Sequence, residues 1–269
     1  MTFRNLFNYG AGVITSVAVA LSFLAGGQDV KADSLPGDKI GMVLMHGKGA
    51  ETRAISALGA ALESAGVLVE MPLMPWSRDR IYDKGYEESM AEIDTYVARL
   101  RKKGAKRIIV GGHSLGANAA LGYGARRDGL SGVVLLAYGH VPGKAGFARK
   151  LSKSTDRARK LIAAGKGEET ASFQDSNQSR GGSVTSSAND LFSWFDPNGP
   201  AVIDTNAPKV KPNTPVLCID GSDDRWNRCD EIMELVPTHA KNKEEMVDAD
   251  HVDTPDASVK TVSEWLRGL

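Results

Sequence analysis

The chain has 269 residues, of which 42% are hydrophobic and 25% charged, the balance of a folded globular protein rather than a disordered or low-complexity one. Its 33 basic and 33 acidic residues cancel, so no net field is available to hold nucleic acid or an anionic membrane. Two cysteines are too few for a disulfide framework, and no cysteine or histidine spacing matches a structural zinc site.

Residues 1–32 read as a secretory leader. Arg4 precedes an apolar run from Ala11 to Ala25, and Val30-Lys31-Ala32 puts small residues at the two positions a signal peptidase reads. The expected cut follows Ala32 and directs a chain beginning at Asp33 to a periplasmic or extracellular location. The apolar run falls short of the ~20 residues a membrane helix needs, and no cysteine follows it to carry a lipid. Stable membrane insertion is therefore not expected once the leader is gone. Losing Arg4, Lys31 and Asp29 leaves 31 basic and 32 acidic residues, so the exported protein stays nearly neutral.

From Lys39 onward, short apolar runs alternate with helical periods, the order expected of helices on a largely parallel sheet. Gly41 to Met45 reads as a buried strand. Ile55, Leu58 and Leu62 mark one face of a helix that Gly66 can end, and Val67 to Val69 returns as a strand. Met90, Ile93, Val97 and Leu100 define a longer helix stopped at Gly104. Arg107 to Val110, Val133 to Ala137, Val216 to Ile219 and Glu245 to Val247 are further strands. In the last helix Thr254 is the expected N-cap, Pro255 takes the first position, and Val259, Val262 and Leu266 face inward.

Residues 141–213 interrupt this rhythm. A basic amphipathic helix, with Phe147, Leu151, Ala158, Leu161 and Ile162 on one face, leads into a polar stretch containing Gly181-Gly182-Ser183. Leu191, Phe192, Trp194 and Phe195 close the excursion. Structureless loops above ~15 residues are uncommon, so the segment reads as a cap inserted into one domain spanning residues 33–269. The apolar cluster either lines an acyl pocket or anchors the cap. The basic helix, with Lys144, Arg149, Lys150, Lys153, Arg157, Arg159, Lys160 and Lys166 against the single Asp156, either faces an anionic partner or is a solvated surface.

The most informative segment is Arg107 to Gly116, where a buried strand runs into Gly112-His113-Ser114-Leu115-Gly116 and then an alanine-rich helix. A sharp turn that exposes a serine crowds the positions two residues away on either side, and glycine at Gly112 and Gly116 removes the clash. Ser114 then stands at the carboxyl end of the sheet, as a nucleophile or, more plainly, as a helix cap.

With this G-x-S-x-G turn, the chain resembles the α/β-hydrolase family over most of its length outside the cap. The resemblance implies an α/β-hydrolase fold and a Ser, Asp, His order of catalytic residues along the chain. His251, after the last strand and before the last helix, stands where the family keeps its histidine. His46 and His113 belong to other motifs, His140 opens the cap, and His239 lies in a polar loop. The acid falls in Asp220-Gly221-Ser222-Asp223-Asp224. Asp224 matches the family spacing, Asp223 is the next choice, and Asp220 is more simply a turn former. In His46-Gly47-Lys48-Gly49 the family's H-G-x loop places Gly47 at the turn and one oxyanion donor at the Lys48 amide, with the other at Leu115.

The resemblance thus implies a serine hydrolase acting on a small-molecule acyl substrate without metal or organic cofactor. The expected reaction is ester cleavage through an acyl-enzyme. Amide cleavage or acyl transfer would use the same residues, and a non-catalytic binding protein on the same fold is the reading of another class. Cys218 and Cys229 flank the acid loop. In an oxidising compartment they can pair and brace it, or stay free as a buried strand residue and a helix cysteine.

Overall fold

The structure is a computed structural model describing residues 39–178 and 180–269, and the expected leader lies outside the described residues. In chain order its main elements are β1 (Ile40–Met45), α1 (Ser56–Ser64), β2 (Leu68–Glu70), α2 (Tyr86–Lys102), β3 (Arg107–His113), α3 (Leu115–Arg126), β4 (Gly132–Leu136) and α4 (Ala145–Ala163). They continue with β5 (Thr170–Asn177), β6 (Arg180–Ser187), α5 (Ala188–Phe195), α6 (Ile203–Asn206), β7 (Val216–Gly221), α7 (Cys229–Leu235), β8 (Lys243–Val247), α8 (Thr254–Ala257) and α9 (Val259–Gly268). Six strands form one sheet in the order β2-β1-β3-β4-β7-β8, and every neighbouring pair is parallel.

The apolar runs are continuous because both faces of the sheet are covered. Successive side chains alternate between two cores. Val43 and Met45 of β1, Val110 of β3, Leu135 of β4 and Cys218 of β7 pack on the side of α2, α3 and α5. Met42, Leu44, Ile109, Val134 and Ile219 pack on the other, against Ile55, Leu58 and Leu62 beside α1 and Val262, Trp265 and Leu266 of α9. A one-residue slip in any central strand would exchange these sets wholesale, so burial on both faces fixes the register.

The expected final helix is two pieces, α8 and α9, meeting at Ser258. Thr254 lies inside α8 rather than capping it, and the N-cap is Asp253. The Thr254 hydroxyl instead donates to the Asp250 carbonyl at 2.6 Å, while Ser258 Oγ donates to Thr254 O at 2.6 Å. Hydroxyls bonding back to carbonyls in this way compete with regular helical geometry, which accounts for the break.

Within residues 141–213, β5 and β6 pair as an antiparallel hairpin, where the sequence reads only as a polar stretch. Phe173 and Asp175 of β5 are buried on one face while Ser172 and Gln174 are exposed on the other, so a period of two was present among polar residues. The Leu191–Phe195 cluster anchors the insertion. Trp194 lies 5.2 Å from the Trp76 ring and 4.6 Å from Tyr86, and its indole N–H donates to Lys84 O at 3.1 Å.

Candidate active site

Five strands deliver their carboxyl ends to one edge of the sheet, the position at which open parallel sheets place ligands. β1 leads to His46-Gly47-Lys48, β3 to Ser114, β4 to Tyr138-Gly139-His140, β7 to Asp224 and β8 to His251.

Ser114 has φ +56° and ψ −115°, a backbone state that side-chain-bearing residues rarely adopt and that the surrounding contacts must hold. Its N–H donates to Leu136 O at 2.9 Å and its carbonyl accepts from Gly139 N at 3.2 Å. The flanking glycines are sterically required. A Cβ at Gly112 would come within 2.6 Å of the Gly116 backbone, and one at Gly116 within 2.5 Å of Met45 O. Gly47 abuts the same serine, since its Cβ would lie 3.2 Å from Ser114 Cβ. Gly139, a position the sequence does not single out, comes closer than Gly47 to the serine side chain, for a Cβ there would sit 2.6 Å from Ser114 Oγ.

The three residues expected to act together meet in line. Ser114 Oγ lies 3.0 Å from His251 Nε2, and His251 Nδ1 lies 2.5 Å from Asp224 Oδ2. The other carboxylate oxygen of Asp224 accepts the Trp226 N–H at 2.9 Å. Burial works to raise the Asp224 pKa, but the bonds from His251 and Trp226 outweigh it and hold the carboxyl below its ordinary range. Asp223 is exposed and only its N–H is engaged, with Ala249 O at 3.0 Å. Asp220 does more than form a turn: its Oδ2 accepts the N–H groups of Arg228 and Cys229 at 2.7 and 2.9 Å, capping the start of α7. Gly221 lets the acid loop lie against the histidine loop, because a Cβ there would meet Ala249 O at 2.4 Å.

The remaining histidines are structural in their bonding. His46 accepts the Met74 N–H on Nε2 at 3.0 Å and donates from Nδ1 to Gly47 O at 2.8 Å, so it is held neutral and shapes the loop that carries Lys48. His113 donates from Nε2 to the His251 carbonyl at 2.7 Å, fixing the backbone under the imidazole that meets Ser114. Burial, with the His251 ring nearby, pushes the His113 pKa down to about 4. His140 donates from Nε2 to Trp194 O at 2.8 Å, and burial takes its pKa to about 3. His239 accepts the Lys241 N–H at 3.0 Å in a loop away from the site.

Lys48 carries a second function that the sequence does not reveal. Its side chain is 8% exposed and pairs with Asp175 of β5, itself 9% exposed. The ammonium also donates to Ser176 O at 2.9 Å, and Asn177 Nδ2 donates to the Lys48 carbonyl at 3.1 Å. Burial lowers the Lys48 pKa while the Asp175 charge pulls it back. The cap hairpin is thereby tied directly to the loop whose backbone is the expected oxyanion donor.

These groups border a cavity of about 400 Å³, within the range of small-molecule sites. Lys48, Ser114, Leu115 and His251 share its wall with Tyr138, Val141, Phe147 and Trp226. Leu115 is the first residue of α3, where the helix leaves its amides without internal partners and the dipole favours negative charge. Leu191, Phe192, Trp194 and Phe195 do not line the cavity, so that cluster anchors the cap and Phe147 supplies the apolar wall. Among the described residues no three His, Cys, Asp or Glu side chains are grouped to hold a metal, and no helix is long and apolar enough to cross a membrane. Cys218 and Cys229 form a disulfide with their Cα atoms 5.5 Å apart, closing a ring around the acid loop.

A six-stranded parallel sheet with this serine turn and this edge defines an α/β-hydrolase architecture. A model of the alpha/beta hydrolase family matches residues 42–261, and the chain belongs to that family. A carboxyl esterase from Bacillus coagulans, solved with glycerol, is similar in structure at TM-score 0.61 and 19% identity, covering 87% of this chain and 92% of its own. A monoacylglycerol lipase from Paleococcus ferrophilus is similar at TM-score 0.56 and 21% identity, covering 85% and 94%. A metagenome-derived lipolytic enzyme, from work describing LipS and LipT, gives TM-score 0.62 at 13% identity, covering 88% and 96%. No curated protein matches the sequence significantly.

Proposed function

We propose that the chain is an exported serine hydrolase cleaving a carboxylic ester or related acyl bond through an acyl-enzyme. The observation that carries this reading is the continuous line from Asp224 through His251 to Ser114 at the cavity wall. A serine hydroxyl is weakly nucleophilic until an imidazole takes its proton. His251 Nε2 accepts that proton as Ser114 Oγ bonds to the carbonyl carbon, and Asp224 stabilises the resulting imidazolium without taking the proton itself.

The oxyanion of the tetrahedral intermediate is received by the amides of Lys48 and Leu115, each worth about 3 kcal/mol of barrier in comparable sites. Collapse breaks the bond to the alcohol, which leaves with the proton from His251. Water then attacks the acyl-enzyme with His251 as base, releasing the acid and restoring Ser114. Esterases and lipases among the structural neighbours are in keeping with this chemistry.

Export is supported by the leader pattern of residues 1–32 and by the Cys218–Cys229 bond, since such bonds persist in oxidising compartments. The test is hydrolysis of p-nitrophenyl esters from acetyl to palmitoyl beside anilide and lactone controls. Turnover of at least one ester above the anilides is expected. Turnover of anilides alone, or of nothing, contradicts the ester reading.

A further inference from the structure

We infer that the cleft selects esters bearing an anionic group, received by Lys150 together with Lys144 and Arg228. The inference rests on the serine ester hydrolase reading and names its substrate class. Four cations, Lys48, Lys144, Lys150 and Arg228, line the cavity and no carboxylate does. Lys48 is neutralised by Asp175 and belongs to the scaffold. Lys144 and Arg228 share one counter-ion, Glu231. Lys150 has no ion-pair partner among the described residues, so these three lining cations share one carboxylate and two positive charges stay unbalanced.

The charge of α4 is thus divided by position. Arg159 pairs with Asp156, Arg157 donates to Ser172 O at 2.6 Å, and neither lines the cleft. Lys144, the N-cap of α4, and Lys150 do, about 1.7 helical turns apart. Lys150 is close enough to the buried Lys48 to depress its pKa further. Apolar and aromatic side chains, Leu115, Tyr138, Val141, Phe147 and Trp226, share the lining, with Phe147 three residues from each of Lys144 and Lys150. A ligand matching both parts of this lining has an apolar body and a carboxylate or phosphate beside Lys144, Lys150 and Arg228.

Two substrate pairs test the inference and locate the charge. Mono-p-nitrophenyl glutarate against p-nitrophenyl butyrate puts it on the acyl side, and 4-acetoxybenzoate against phenyl acetate puts it on the alcohol side. At low ionic strength the anionic member of one pair should be favoured in kcat/KM by roughly fivefold, the scale of an exposed ion pair, with the ratio shrinking in high salt. Lys150→Glu should lower that ratio by about tenfold, for it replaces attraction with repulsion. Lys160→Glu, about 15 Å further along the helix, should not move it. No salt-sensitive preference in either pair, or an unchanged ratio in Lys150→Glu, overturns the inference while leaving ester hydrolysis standing. If no ester is turned over, binding of the same pairs to Ser114→Ala protein decides. Tighter binding of the anionic member that Lys150→Glu abolishes supports the inference, and equal binding overturns it.

Discussion

His251 Nδ1 meets Asp224 Oδ2 at 2.5 Å, and the neighbouring Asp223 side chain points into solvent. One backbone step therefore separates a carboxylate that orients the imidazole from one that does not. Asp224→Asn should lower kcat by about 10³ to 10⁴, because an amide facing Nδ1 selects the wrong tautomer. Asp223→Asn should change kcat by less than about threefold, as expected of an exposed group off the relay. Steady-state kinetics on any turned-over ester checks the ranking, and the reverse order would move the acid to Asp223.

The Cys218–Cys229 bond encloses Asp220 to Asp224. The oxidised protein should have an intact mass two units below its reduced form, with no alkylatable thiol until reductant is added. Cys218→Ser with Cys229→Ser should cost roughly 2 to 3 kcal/mol by loop-closure reasoning for so short a ring. Denaturant titration of the double variant measures it.

Removing one partner of the buried Lys48–Asp175 pair leaves an uncompensated charge. Asp175→Asn should destabilise by about 3 kcal/mol. Lys48→Met combined with Asp175→Leu should restore most of that loss, since apolar replacement of both partners is often tolerated. Turnover should stay depressed in the double variant, because the loop loses the ammonium's bonds to Asp175 and Ser176 O and keeps only the Asn177 bond to the Lys48 carbonyl. Thermal melts beside kcat separate the two effects, and full activity in the stable double variant would show that the tether does not position the loop.

Stability should fall as pH drops from neutrality. His113 and His140 are held neutral, at about 4 and about 3, below the ordinary 6.5 of histidine. The unfolded chain takes up these protons first, so their contribution is complete above 6.5 and is lost on descent from 6.5 to about 4 for His113 and to about 3 for His140. Each removes roughly 1.4 kcal/mol per pH unit inside its window. His140→Gln, which retains a donor for Trp194 O, should flatten the dependence of Tm on pH between 6 and 4. An unchanged slope would exclude His140 as a source.

Much of this architecture was legible in the chain because its causes are local. The Gly112 to Gly116 turn is written in residues that a strained backbone demands, and the strands are apolar because both sheet faces are covered. The role of the Lys48 side chain was not legible, because its partner Asp175 lies 127 residues away in sequence on a hairpin with few apolar residues. Gly139 was likewise hidden: its need for a bare Cα comes from Ser114 Oγ across a strand crossover, and nothing beside it in sequence marks the approach. Thr254 was misread as a cap because its hydroxyl finds the Asp250 carbonyl, a choice between donors and acceptors that spacing alone does not decide.

Reaction of the purified protein with a fluorophosphonate, followed by peptide mass spectrometry, tests the central claim most directly, because only an activated serine is phosphonylated. A single adduct on the peptide containing Ser114 is predicted, lost in Ser114→Ala and in His251→Gln protein that both retain the native melting transition. Absence of labelling in the folded wild-type protein, or an adduct that survives Ser114→Ala at the same stoichiometry, would contradict it.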